Sequence, residues 1–205
     1  MPHSGDFNLE VLVGNVASTQ ALATGHQESA VLGPGGIELY LTAGAYAITD
    51  PASGSDTLDA YGATGTINAF GNFDTIGGSF AAIHATTINA IGDENALITA
   101  NGNDTINLVG SGDTVTAGAA TSNTTSQVNF LAGGNETLVL TYTDTVVGFD
   151  QAADDTIMPS INSGVTDTVV SSSLTNSGTD TLISLHEGST ILLKGVTNFD
   201  NTFFN

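Results

Sequence analysis

The chain has no cysteine, no tryptophan and no arginine, and across 205 residues its one lysine, Lys194, is set against 21 aspartates and glutamates. Without cysteine there is neither a disulfide scaffold nor a zinc–thiolate site. One lysine against a formal net charge of −20 excludes nucleic acid and anionic membrane as natural partners. It also argues against a polysaccharide lyase, which needs basic groups to polarise an acidic sugar. No stretch approaches the roughly 18 apolar residues of a membrane helix, so no membrane insertion is expected. The opening Met1-Pro2-His3-Ser4-Gly5-Asp6 lacks the basic and apolar regions of a cleavable signal peptide. Motifs of catalysis are missing as well. His3, His26, His84 and His186 are scattered, with no His-Glu-x-x-His helix, Gly-x-Ser-x-Gly elbow or phosphate-binding loop. His186-Glu187-Gly188 reads as a hairpin turn between strands ending at Leu185 and starting at Ser189, and the chain is read as not an enzyme.

What is present is turn and strand chemistry: 25 glycines among many Ser, Thr and Asn, with 40% hydrophobic and 11% charged residues. A nine-residue period organises it. Asp56-Thr57-Leu58, Gly65-Thr66-Ile67 and Asp74-Thr75-Ile76 recur at intervals of nine. After a three-residue insertion the phase resumes at Thr86-Thr87-Ile88, Asn95-Ala96-Leu97, Asp104-Thr105-Ile106 and Asp113-Thr114-Val115. Later copies are spaced irregularly: Glu136-Thr137-Leu138, Asp144-Thr145-Val146, Asp155-Thr156-Ile157, Asp167-Thr168-Val169 and Asp180-Thr181-Leu182.

Nine residues suffice for one strand and one turn, so two repeats close a flattened coil and stacked coils bury their aliphatic columns. The fold class expected is all-β, a parallel β-solenoid of β-roll or β-helix type, with N-terminal cap strands and a C-terminal β-sandwich-like cap. Leu58 stacks on Ile76, Ile88 on Ile106 and Leu97 on Val115, with the preceding Thr turned outward. Gly62, Gly71, Gly92, Gly102, Gly110 and Gly112 supply the positive φ angles of the turns. Asp56 and Asp74 fall one coil apart, where two carboxylates at about 5 Å repel by around 1 kcal/mol in water and more when buried; a cation or a raised pKa relieves that. Asp104 and Asp113 fall on opposite edges, beside Thr86 and Asn95.

Gly102-Asn103-Asp104-Thr105-Ile106, Gly54-Ser55-Asp56-Thr57-Leu58 and Gly178-Thr179-Asp180-Thr181-Leu182 resemble the second half of the glycine-rich nonapeptide of RTX proteins. Val146-Val147-Gly148-Phe149-Asp150, the strand series after it and the apolar tail Phe203-Phe204 are similar to the C-terminal region of type I secreted proteins. The resemblance implies a β-roll with calcium between its turns, Asp56, Asp74, Asp104 and Asp113 being the candidate ligands, and an uncleaved C-terminal export signal. A calcium-free solenoid with a solvating acidic surface is the competing reading.

Three segments follow: 1–53, an N-terminal β cap or assembly segment; 54–146, the solenoid; and 147–205, a C-terminal β cap with a type I secretion signal. Phe7–Val13 and Ile37–Leu41 read as strands of the first segment, with Gly33-Pro34-Gly35-Gly36 as a turn. An outward Thr row invites an ice- or sugar-binding face, but strand propensity alone accounts for threonine here. The partner positions Asp59, Asn68, Gly77, Asn89, Ile98, Asn107 and Thr116 also vary. The function expected is a secreted structural protein, self-associating as a homo-oligomer or polymer into an extracellular layer, filament or biofilm matrix at the cell surface. The alternative is a monomeric adhesin module binding calcium or a cell-surface or matrix polysaccharide.

Overall fold

Each Thr-aliphatic pair opens a short strand, and strand alternation turns the aliphatic residue to one side and its Thr to the other. In the computed structural model these strands stack in parallel into a two-sheet solenoid, the fold class expected. The structure describes residues 8–12, 19–21, 27–32, 38–40, 44–50, 57–59, 63–72, 74–77, 86–99, 103–117, 126–140, 144–159, 161–162, 165–166, 169–185 and 190–199.

One sheet holds β1 (Asn8–Leu12), β3 (Gln27–Leu32), β5 (Gly44–Asp50), β7 (Ala63–Ala69), β9 (Thr86–Ile91), β11 (Thr105–Ser111), β13 (Ser126–Gly134) and β15 (Asp144–Val147), neighbours in that order. The other holds β2 (Thr19–Ala21), β4 (Glu38–Tyr40), β6 (Thr57–Asp59), β8 (Thr75–Gly77), β10 (Ala96–Thr99), β12 (Thr114–Ala117), β14 (Thr137–Leu140) and β16 (Thr156–Pro159). Each coil therefore contributes one strand to each sheet. Strands of residues 8–50 run in the same two parallel ladders as those that follow, β1 on β3 and β3 on β5 in one sheet, β2 on β4 in the other.

The register is the one the repeat dictates: Leu58 opposite Ile76, Ile88 opposite Ile106 and Leu97 opposite Val115. Ile48, Leu58, Ile67, Ile76, Ile88, Ile106, Val115, Val128 and Leu138 are buried between the sheets. Burying one such side chain is worth about 1.5–3 kcal/mol, so the aliphatic columns dominate the stability of the stack.

Beyond β16 the parallel stack gives way to antiparallel pairing. β17 (Ile161–Asn162) and β18 (Val165–Thr166) form a small ribbon, while β19 (Val169–Thr175), β20 (Asp180–Leu185) and β21 (Thr190–Lys194) extend the first sheet. β21 lies parallel on β15, with Asp144 opposite Ile191. β20 and β21 are antiparallel neighbours, as a hairpin there requires, though the turn residues 186–189 lie outside the described residues.

The triplet Asp180-Thr181-Leu182, read as a late repeat, is not a rung of the solenoid. Ile183 and Leu185 set the inward face of β20, which reverses the parity. Thr181 is buried, its Oγ1 donating to Val196 O at 2.6 Å, and Leu182 is only half-buried. Asp167 and Thr168 lie outside the described residues.

Candidate functional site

Among the described corners that lead from the first sheet to the second, those after β9, β11 and β13 are four-residue turns that begin with glycine, whereas β15 reaches β16 through residues 148–155 and a short 3-10 helix. The three turns are Gly92-Asp93-Glu94-Asn95, Gly110-Ser111-Gly112-Asp113 and Gly133-Gly134-Asn135-Glu136; Gly71, Asn72 and Asp74 hold the corresponding positions one coil earlier. The first glycines stack with their backbones in contact. A Cβ on Gly92 would lie 1.9 Å from Gly71 O, one on Gly110 1.6 Å from Gly92 O, and one on Gly133 1.3 Å from Gly110 O. Close approach, rather than positive φ, is what Gly71 and Gly92 supply. The left-handed conformation falls on the residue before the last of each turn, Glu94 (φ 60°), Gly112 (75°) and Asn135 (61°), and on Asp154 (64°), while Gly110 (159°) and Gly133 (127°) combine positive φ with close approach. Gly62 and Gly102 lie outside the described residues.

The last turn residue begins each triplet, two positions before the aliphatic residue and so with the same inward parity. Asp74, Asn95, Asp113, Glu136 and Asp155 consequently form one buried column, none more than 2% exposed. From Asn95 onward each side chain accepts the backbone N–H of the column residue one coil earlier. Asp74 N–H donates to Asn95 Oδ1 (3.0 Å), Asn95 N–H to Asp113 Oδ1 (2.8 Å), Asp113 N–H to Glu136 Oε2 (2.8 Å) and Glu136 N–H to Asp155 Oδ1 (3.2 Å). Asp155 Oδ2 closes the column by accepting Asp150 N–H at 2.8 Å. Asn95 Nδ2 and Asp113 Oδ2 have no partner of good hydrogen-bond geometry, and the Asn95 amide beside that carboxylate favours its charged form.

Stacked buried carboxylates hold their protons tightly. Burial pushes Asp113 up from 3.8 to about 6, with the Asp93 carboxylate adding and the Asn95 N–H opposing. Burial lifts Glu136 from 4.5 to about 7, the Asp113 and Asp155 charges reinforcing it against the Asp113 N–H. Asp155 is raised by burial too, against the N–H groups of Asp150 and Glu136.

Of the four residues singled out as calcium ligands, Asp74 and Asp113 share this column, separated by the neutral Asn95. Asp104 stands on the opposite edge, as anticipated, its Oδ1 accepting Thr86 N–H at 2.8 Å. Asp56 lies outside the described residues. Among the described residues no three His, Asp or Glu side chains converge on one point. Asn95, Glu136 and Asp155 were not singled out from sequence, although their place at the head of a triplet carried the signal.

A second ladder runs along the outer face of the first sheet. Asn89 Nδ2 donates to Asn68 Oδ1, Asn107 Nδ2 to Asn89 Oδ1 and Asn129 Nδ2 to Asn107 Oδ1, each at 2.7 Å. Asn68 Nδ2 caps one end on Ile48 O (3.4 Å) and Gln127 Nε2 donates to Asn129 Oδ1 (2.8 Å) at the other. Thr66, Thr87 and Thr105 form the column two residues before it; on its other side Ile91 stands opposite Val109, Phe70 follows the end of β7, and a bulge in β13 sets Ala132 rather than Leu131 opposite Val109.

The partner positions that vary in sequence thus sort by sheet. Asn68, Asn89 and Asn107 make one regular column on the first sheet, whereas Asp59, Gly77, Ile98 and Thr116 fall on the second. Comparison with protein-family models, with characterised proteins and with solved structures finds no match to this chain.

Proposed function

We propose that the chain is a structural protein that joins end to end with copies of itself, and that it works outside the cell as part of a layer, filament or matrix. The observation that carries this reading is the open second sheet. All eight of its strands are parallel, and its outermost members, β2 and β16, each pair on one side only among the described residues. A copy shifted along the solenoid axis brings its β2 against β16 in the same parallel sense as every rung between. The unpaired N–H and C=O groups of both edges then find partners. The antiparallel strands β19 to β21 continue the first sheet at this end and pair with no strand of the second, and Met158 of β16 is exposed.

The extracellular setting rests on the cysteine-free, strongly acidic composition and on the resemblance of the repeats and C-terminal segment to RTX-like, type I secreted proteins. Under that reading export needs no cleaved N-terminal signal. The calcium that the resemblance implies enters as a variable of the test. Sedimentation velocity over a concentration series, with and without calcium, and electron microscopy of the same samples are expected to show linear assemblies. Monomers at every concentration in both conditions overturn the reading; linear assembly that needs calcium would support a cation at the joints.

A further inference from the structure

The outer face of the first sheet offers a lateral surface, an inference that rests on the end-to-end reading above. A chain with net charge −20 repels its copies wherever carboxylates face one another. The exposed acids Asp93, Glu94, Asp150 and Asp154 sit at the corner, whereas the described outward side chains of β5 to β15 carry no ionisable group.

Two further features suit this face to being covered. The Asn68–Asn129 ladder is satisfied within itself, so removing water from it leaves few hydrogen bonds unmade. Beside it apolar side chains stand in solvent, with Phe70 39%, Ile91 37% and Leu131 60% exposed. We propose that this face is where a second copy of the chain packs, face to face, the equal rung spacing of the two copies bringing their amide ladders into register and the apolar side chains beside them into contact.

The size of the face decides when this happens. Six rungs about 4.8 Å apart and five residues about 3.3 Å apart give roughly 500 Å² per copy. A stable pair of proteins usually buries about 800 Å² per partner. Single copies therefore do not dimerise through it, but copies already joined end to end present the face many times over and bind by multivalency. Lateral pairing follows filament growth.

The test compares wild type with an Ile91→Glu/Leu131→Glu double variant by electron microscopy and sedimentation, with thermal unfolding as the check on fold. Both side chains are exposed, so the unfolding transition is expected to stay; if it does not, Thr105→Glu on the same face replaces the pair. Wild-type filaments two or more solenoids wide, falling to one in the variant, support the inference. A variant as wide as wild type overturns it and leaves end-to-end joining intact, as do wild-type filaments one solenoid wide. An absence of filaments sinks both readings. Wild-type binding to neutral dextran or cellulose that the variant loses, with single-width filaments, assigns the face to carbohydrate and overturns the second copy as its occupant.

Discussion

At Gly110 the added methyl of an alanine would sit 1.6 Å from Gly92 O, a backbone atom fixed by the neighbouring coil. Gly110→Ala is therefore expected to destabilise the fold by about 3 kcal/mol, as overpacking does at its upper end, in urea unfolding. Gly178→Ala is the control. Its φ is +86° but nothing lies within 4 Å, so only the left-handed backbone penalty of about 1 kcal/mol applies. The opposite sign is expected at Glu94, a non-glycine residue at φ 60°. Glu94→Gly should raise stability by roughly 0.5–1 kcal/mol in the same assay, because glycine adopts that conformation without the Cβ clash. These sites show how far a glycine can be read from sequence. Its presence at a corner was legible, but whether it serves φ or contact depends on the distance to the next coil.

At the scale of a strand and its turn, the triplet was legible and its consequence only partly so. Alternation placed Leu58, Ile76, Ile88 and Ile106 inside, and they are inside. The same alternation buries the triplet's first residue, so the column includes Glu136 and Asp155 where a cation-binding motif points only to aspartates in regular copies.

The pH dependence follows from that column. Between the ordinary values of Asp113 and Glu136, 3.8 and 4.5, and their folded values, about 6 and about 7, the folded chain holds protons that the unfolded chain has released. Stability should grow as pH falls through about 7, level off near pH 4, and be lost as pH rises through the folded values. A gain on the order of 2–3 kcal/mol between pH 8 and pH 5 in denaturant titrations is expected. Glu136→Gln keeps an oxygen for Asp113 N–H and should flatten most of it. Asp180, held below its usual value chiefly by Gly195 N–H, acts in a separate acid window below about pH 4. On the outer face, Asn107→Ala cuts the amide ladder between Asn89 and Asn129 and should cost about 1 kcal/mol in the same titrations.

For the whole molecule, the parallel stack could be read from the nine-residue period, but its extent could not. Strands of residues 8–50 occupy the same ladders without showing that phase, because a strand needs only an inward residue and a matching neighbour, not a repeated triplet. Its end was obscured for the opposite reason: Asp180-Thr181-Leu182 keeps the pattern in an antiparallel hairpin. Removing residues 95–112 joins Glu94 to Asp113 and deletes one coil between positions that hydrogen-bond 18 residues apart. The shortened chain is expected to keep its β circular dichroism and cooperative melting, at lower stability, and to be about one 4.8 Å rung shorter by small-angle scattering. Loss of cooperative unfolding would show that the coils do not act as exchangeable units. The order of events during folding is written in the same pairings. Every rung up to β16 closes on chain made only about twenty residues earlier, so growth can begin at any coil and zip outward quickly. β21 alone must travel back to β15 across the whole C-terminal excursion, from Ile191 to Asp144, which makes sealing of that end the slow, final event.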